Sequence, residues 1–154
     1  MIVAHYIGKH ERDSIFVRLG WFLTRITQRG RFRNVTHAEA VLEQHDDGTV
    51  TIGSSSLREG GVRMKRCTLD RSSWLLRDVG VWDATKAKQW FIEHQGEPYD
   101  ARGAVATVIP ALGGNPNKRF CHEAIGNAVG FEGAALLTCS EFTEVTTHFG
   151  TIVL

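Results

Sequence analysis

Apolar and polar positions alternate along this chain with two different periods, and the switch between them divides it into elements. Residues 2–7, IVAHYI, read as a short strand. From Ser14 to Gln28 the apolar positions Ile15, Leu19, Phe22, Leu23 and Ile26 recur at helical spacing, with Asp13 or Ser14 as N-cap and Gly30 as stop. The period then drops to two. THAEAVLEQHDDGTVTIGSSS predicts a β-hairpin, with strands near 36–44 and 49–56 around the turn HDDG. GGVRMKRC and WLLRDVGVW predict two further strands.

The second half returns to helical spacing. Asp83 is placed to cap a helix in DATKAKQWFIEHQG, closed by Gly96, with Ala84, Ala87, Trp90 and Phe91 inward. EPYDARGAVATVIPALGG predicts a turn and a short helix ended by Pro110 and the glycines, with Asp100 as its cap. A helix beginning near Arg119 packs through Phe120, Ala124, Ile125, Ala128 and Val129. TCSEFTEVTTHF predicts a last helix capped by Thr138 or Ser140. Trp82 and Trp90 read as core side chains. The expected architecture is α+β, a small antiparallel sheet against helices, in a single domain over residues 1–154.

Composition narrows the function classes. Hydrophobic residues at 42% and charged residues at 23% fit a globular domain, and a formal net charge of +1 gives no bulk attraction to nucleic acid. The one basic cluster, Arg25, Arg29, Arg31 and Arg33, reads as a solvated helix end and loop. SIFVRLGWFL is too short to span a bilayer and contains Arg18, and no Sec signal pattern precedes it, so cytoplasmic synthesis is expected. Cys67, Cys121 and Cys139 are odd in number and lack CxxC spacing, which argues against a disulfide framework or a zinc ribbon.

Candidate chemistry centres on Cys121 in RFCHEAIGNAVG. A cysteine in the first turn of a helix feels the positive end of the helix dipole, and the free N–H groups there can hold an oxyanion. A nucleophilic thiol also needs a base held by a third polar group. His122 is adjacent, but one residue along a helix rotates the side chain by about 100°, so it is not expected to face the thiol. His37 opens a strand on which His37, Glu39 and Val41 share one face and Ala38, Ala40 and Leu42 the other. With Gln44 opposite Thr49, Glu39 falls opposite Ser54 and His37 opposite Ser56. Four polar residues then sit beyond a patch of Val41, Val50 and Ile52.

THAEAV at 36–41, GGV at 60–62, GEPYD at 96–100 and RFCHEAIGNAVG, in that order, resemble a circularly permuted papain-like hydrolase of the NlpC/P60 superfamily (YiiX/YaeF-like branch). The resemblance runs from Ile2 to the last helix. It implies a permuted papain-like fold with Cys121 as nucleophile at a helix N-terminus and His37 as base. The orienting group would be Glu39 by the motif or Ser54 by the strand pairing; Tyr99 is a candidate to line the substrate cleft, and His122 a candidate to tune the site, contact substrate or replace a surface serine. Such proteins often read Cys–Ser–Glu where this chain has Cys–His–Glu. The implied activity is that of an amidase or peptidase on peptidoglycan peptides or another amide, with a thioesterase or acyltransferase as the rival chemistry. An inactive papain-like binding module is the rival class. No metal or cofactor is expected; a metal site made by His37, Cys121 and His122 lacks HExxH or paired-cysteine spacing. Relatives of this kind occur in phage genomes, so a virion or host-cell protein is the expected partner besides a peptide or acyl substrate.

Overall fold

A computed structural model describes residues 1–8, 22, 25 and 28–153. Six strands form one antiparallel sheet: β1 (Ile2–Tyr6), β2 (His37–Gln44), β3 (Val50–Ser56), β4 (Gly61–Cys67), β5 (Trp74–Asp78) and β6 (Thr151–Ile152), in the spatial order β4-β3-β2-β1-β5-β6. The described residues also hold four α-helices: α1 (Ala84–Glu93), α2 (Ala101–Ala106), α3 (Cys121–Val129) and α4 (Cys139–Phe149). Short 3-10 turns cover Pro110–Leu112 and Glu132–Leu136. None of these helices is long and apolar enough to cross a membrane. The helix expected from Ser14 to Gln28 lies outside the described residues, apart from Phe22 and Arg25, both helical and exposed, and Gln28, which is not helical.

Strand alternation sorts the side chains into two layers. Val3, Ala38, Ala40, Leu42 and Val62 face the helices and pack with Ala87 and Phe91 of α1, Ala124, Ile125 and Ala128 of α3, and Phe142 of α4. Ala4, Val41 and Ile52 occupy the opposite face, flanked by Ile2, Val50, Trp74 and Leu76. Trp82 and Trp90 pack against the helix-side core as expected, and Trp82 stacks on Phe142 at 6.0 Å.

The hairpin register is corrected at one end. Ala40 pairs with Gly53 and Val41 with Ile52, as counted, but Gln44 pairs with Val50 instead of Thr49. An irregularity between Val41 and Glu43 places an extra residue, Leu42, in β2. The polar end of the hairpin lies on the correctly counted side of that bulge.

The helix starts follow their capping chemistry. Asp83 accepts from Thr85 and Lys86 N–H at 2.8 and 3.2 Å, and α1 ends at Glu93, before Gly96. Asp100 caps α2 by accepting from Gly103 N–H at 2.9 Å, while its other oxygen holds Asn115 N–H at 2.8 Å. This buried carboxylate is therefore structural. Thr138, not Ser140, caps α4.

Candidate active site

His37 is the first residue of β2 and Cys121 the first of α3, so each stands at the end of its element. The fold brings them close enough for imidazole and thiol to influence each other electrostatically. His37 Nε2 also meets Glu39 Oε1 at 2.8 Å, two residues along the same strand face. Cys121, His37 and Glu39, separated by up to 84 positions in sequence (121 − 37), are thus grouped at one place in the fold.

Glu39 is 2% exposed, and burial alone would raise its pKa. His37 and Arg63 outweigh burial and hold the carboxyl down at about 2. Arg63 of β4 donates through Nη1 to Glu39 Oε2 at 2.6 Å and through Nη2 to Oε1. Arg63 also pairs with Glu59 through Nε. The imidazole is pulled down by burial, but the Glu39 charge and the hydrogen bonds with Cys121 and Glu39 raise it to about 9. Ser54 takes no part in this chain: it is fully buried, and its hydroxyl donates to Ala38 O at 2.7 Å. Of the two candidates for the third group, Glu39 is the one that touches His37.

The thiol has a second neighbour. Cys139, the first residue of α4, places its sulfur 3.6 Å from that of Cys121. Both are buried, walled by Val35 with Ile7 and Phe32 beside it. The hydrogen bond with Cys139 is the largest influence lowering Cys121, against burial, and His122 and His37 add to it. The same bond, with burial, pushes Cys139 up.

His122 departs from expectation. Its Nδ1 lies 3.5 Å from Cys121 Sγ and 3.3 Å from Cys139 Sγ, and Nε2–H donates to Leu137 O at 2.6 Å. The ring stacks on Phe142 at 5.4 Å and meets Phe120 edge-on at 4.7 Å. The 100° helical step separates Cβ directions. Anchoring of the far ring nitrogen on Leu137 O turns the near one back over the thiols. At 3% exposure His122 is a buried neighbour of the thiols, not a surface group.

Tyr99 is also drawn in. Burial first, and then the nearby Cys121 and Cys139, raise its phenol well above the ordinary range. Asp100 beside it is occupied by capping. Arg25, Arg29, Arg31 and Arg33 are exposed, and Arg29 pairs with Glu141 at 3.2 Å.

Sequence reasoning missed Arg63 and Cys139, though both left a trace. Parity along GGVRMKRC puts Arg63 on the Glu39 face, and Arg63 pairs with Ser54. Phe120–Cys–His–Glu123 and Thr138–Cys–Ser–Glu141 are the same local pattern. Each places a cysteine first in a helix and a glutamate third, whose carboxylate accepts from the N–H of the residue just before the helix, Phe120 at 3.2 Å and Thr138 at 2.8 Å. Comparison of the chain with protein-family models, curated proteins and solved structures gave no match. Fold and site together define an α+β domain in which a buried thiol, a half-buried imidazole and a buried carboxylate are grouped.

Proposed function

We propose that this protein is a cysteine hydrolase of amidase or peptidase type, with a permuted papain-like arrangement of the NlpC/P60 kind. Cys121 is the nucleophile, His37 the base and Glu39 the orienting carboxylate. The observation that supports the reading is the grouping of Cys121 with His37, whose Nε2 lies 2.8 Å from Glu39 Oε1, with the sulfur on the first residue of a helix.

His37 holds the thiol proton, and the Cys121 thiolate attacks a carbonyl carbon to form a carbon–sulfur bond. First-turn N–H groups of α3, which lack intrahelical partners, receive the oxyanion. Collapse breaks the bond to the leaving amine, which takes its proton from His37. Water, deprotonated by His37, then cleaves the thioester and restores the thiol. Glu39 keeps the imidazole in the tautomer this cycle needs, and Arg63 holds Glu39. Tyr99, close to the sulfur, is placed to contact the acyl group. The substrate class by this reading is a peptide amide, such as a peptidoglycan stem peptide. A thioester or ester would pass through the same acyl-enzyme.

The test is the pH profile of alkylation by iodoacetamide in metal-free protein. Cys121 should label well below pH 8.5 and faster than Cys67, and His37→Ala should slow it by about 10²-fold or more. Equal, slow labelling of all three cysteines, unchanged by His37→Ala, would remove the catalytic reading.

A further inference from the structure

We propose that Cys121, Cys139 and His122 form a binding site for one thiophilic divalent cation of the zinc class, with the nucleophile as one of its ligands. Among the described residues these three form the one group of at least three His, Cys, Asp or Glu side chains whose donor atoms converge, all lying within 4.8 Å of one another.

The distances decide the geometry. Zinc–sulfur bonds of about 2.3 Å and zinc–nitrogen bonds of about 2.0–2.1 Å set tetrahedral edges of about 3.8 Å for S···S and about 3.6 Å for S···N. The protein has 3.6 Å between the sulfurs and 3.5 and 3.3 Å from them to His122 Nδ1. Every edge is within a few tenths of an ångström of that face. A disulfide between the same sulfurs needs a bond of about 2.0 Å, and so a closure of roughly 1.5 Å. The trio is therefore much nearer to a metal face than to a cystine.

The surroundings fit a ligand set. A metal-binding histidine normally donates its other ring N–H to a carbonyl, which fixes the tautomer and the ring plane. His122 does this with Leu137 O, held between Phe120 and Phe142. Two thiolates and a neutral imidazole balance a divalent charge, so the buried unit is electrically neutral. Thiolates select soft or borderline cations over magnesium or calcium. Three protein ligands leave the fourth corner to water or an added donor.

Binding and acyl chemistry exclude each other, because the sulfur lone pair that attacks a carbonyl is the one given to the metal. The inference stands apart from the hydrolase reading, since the ligand distances hold whether or not Cys121 ever attacks a carbonyl.

Cobalt(II) is the probe. Reduced, chelator-treated full-length protein should bind one Co²⁺ per chain, with tetrahedral visible bands and a thiolate-to-cobalt charge-transfer band. Cys139→Ser should lower that band by about half, and Cys67→Ser should leave it unchanged. X-ray absorption of the zinc-loaded wild type needs no variant to fold, and should give two sulfur neighbours at about 2.3 Å. Stoichiometric zinc should also slow alkylation of Cys121 and Cys139 at least about tenfold, restored by chelator. No cobalt spectrum at tenfold excess, a band indifferent to Cys139→Ser in a folded variant, or oxygen-only coordination would overturn the proposal. Fast, His37-dependent alkylation of metal-free protein together with any of these would retire the metal site and leave the nucleophile standing.

Discussion

His5 is the clearest case of a residue whose burial sets a global property. It is fully buried, with Nε2 2.8 Å from Thr146 Oγ1 and Nδ1 3.0 Å from Thr143 Oγ1. Each ring nitrogen thus has a threonine hydroxyl as its polar partner. Burial, helped by Arg77, depresses its pKa to about 3. The unfolded chain binds this proton near pH 6.5 and the folded chain does not, so stability present above 6.5 is lost as pH falls toward 3. The slope is at most about 1.4 kcal/mol per pH unit. Glu39 has the depressed-carboxylate sign: its contribution is complete above about 4.5 and is lost as pH falls toward about 2. Between pH 6.5 and 4.5 His5 therefore acts without Glu39. Urea midpoints should fall with pH across that window in the wild type and stay level in His5→Gln; parallel declines would refute the assignment. At this scale the sequence was half legible. Strand parity brought His37 and Glu39 to one face, because a period of two depends only on the backbone. The ring of His122 was unreadable, because its direction is set by Leu137 O and Phe142, both remote from a local helical step.

Elements meet at the site through a short connector. Gly61 bridges to Pro98 and Tyr99 to Arg119, and Asp100 N–H donates to Arg119 O at 3.0 Å. Ser55 Oγ donates to the same carbonyl at 2.6 Å. The segment before α3 is thus stitched to β3 and β4, which fixes where Cys121 begins its helix. A Cβ on Gly61 would lie 2.0 Å from Glu97 O, a backbone atom that cannot swing aside. Gly61→Ala should cost about 1–3 kcal/mol, a fall in Tm on the order of 5 °C. Gly80→Ala, where an added Cβ meets nothing within 4 Å, should be near neutral. Thermal melts of the two variants that coincide would discredit this account of the connector. The strands and capped helices were readable because alternation, Asp83, Asp100 and Thr138 are local signals. The bulge at Leu42, the turn Glu132–Leu136 and the two-residue strand β6 were not, since each exists only through its partner.

Across the whole molecule the thiol pair lies beneath a strap formed by residues 28–35. Gln28 Nε2 donates to Val35 O and Gln28 Oε1 accepts from Ser140 N–H at 2.6 Å. Phe32 N–H donates to Ser140 Oγ at 2.8 Å, Thr138 Oγ1 to Arg29 O at 3.0 Å, and Arg31 N–H to Glu144 Oε1. Cys121 is 4% exposed, and Val35 of this layer packs with it. Ser140→Ala removes one of these bonds, worth about 1 kcal/mol. Native-state alkylation of Cys121 should then quicken by about fivefold, and an unchanged rate would mean that access runs elsewhere. No single stretch of sequence announces the strap, since its partners lie more than a hundred positions downstream. The same separation orders events in time. Synthesis proceeds from the N-terminus, so His37, Glu39 and Arg63 leave the ribosome before either sulfur does. The covering strap is also made before the helices it is tied to. A nascent chain therefore holds the imidazole and its carboxylate in advance, and the sulfurs arrive last, to be enclosed between parts already made.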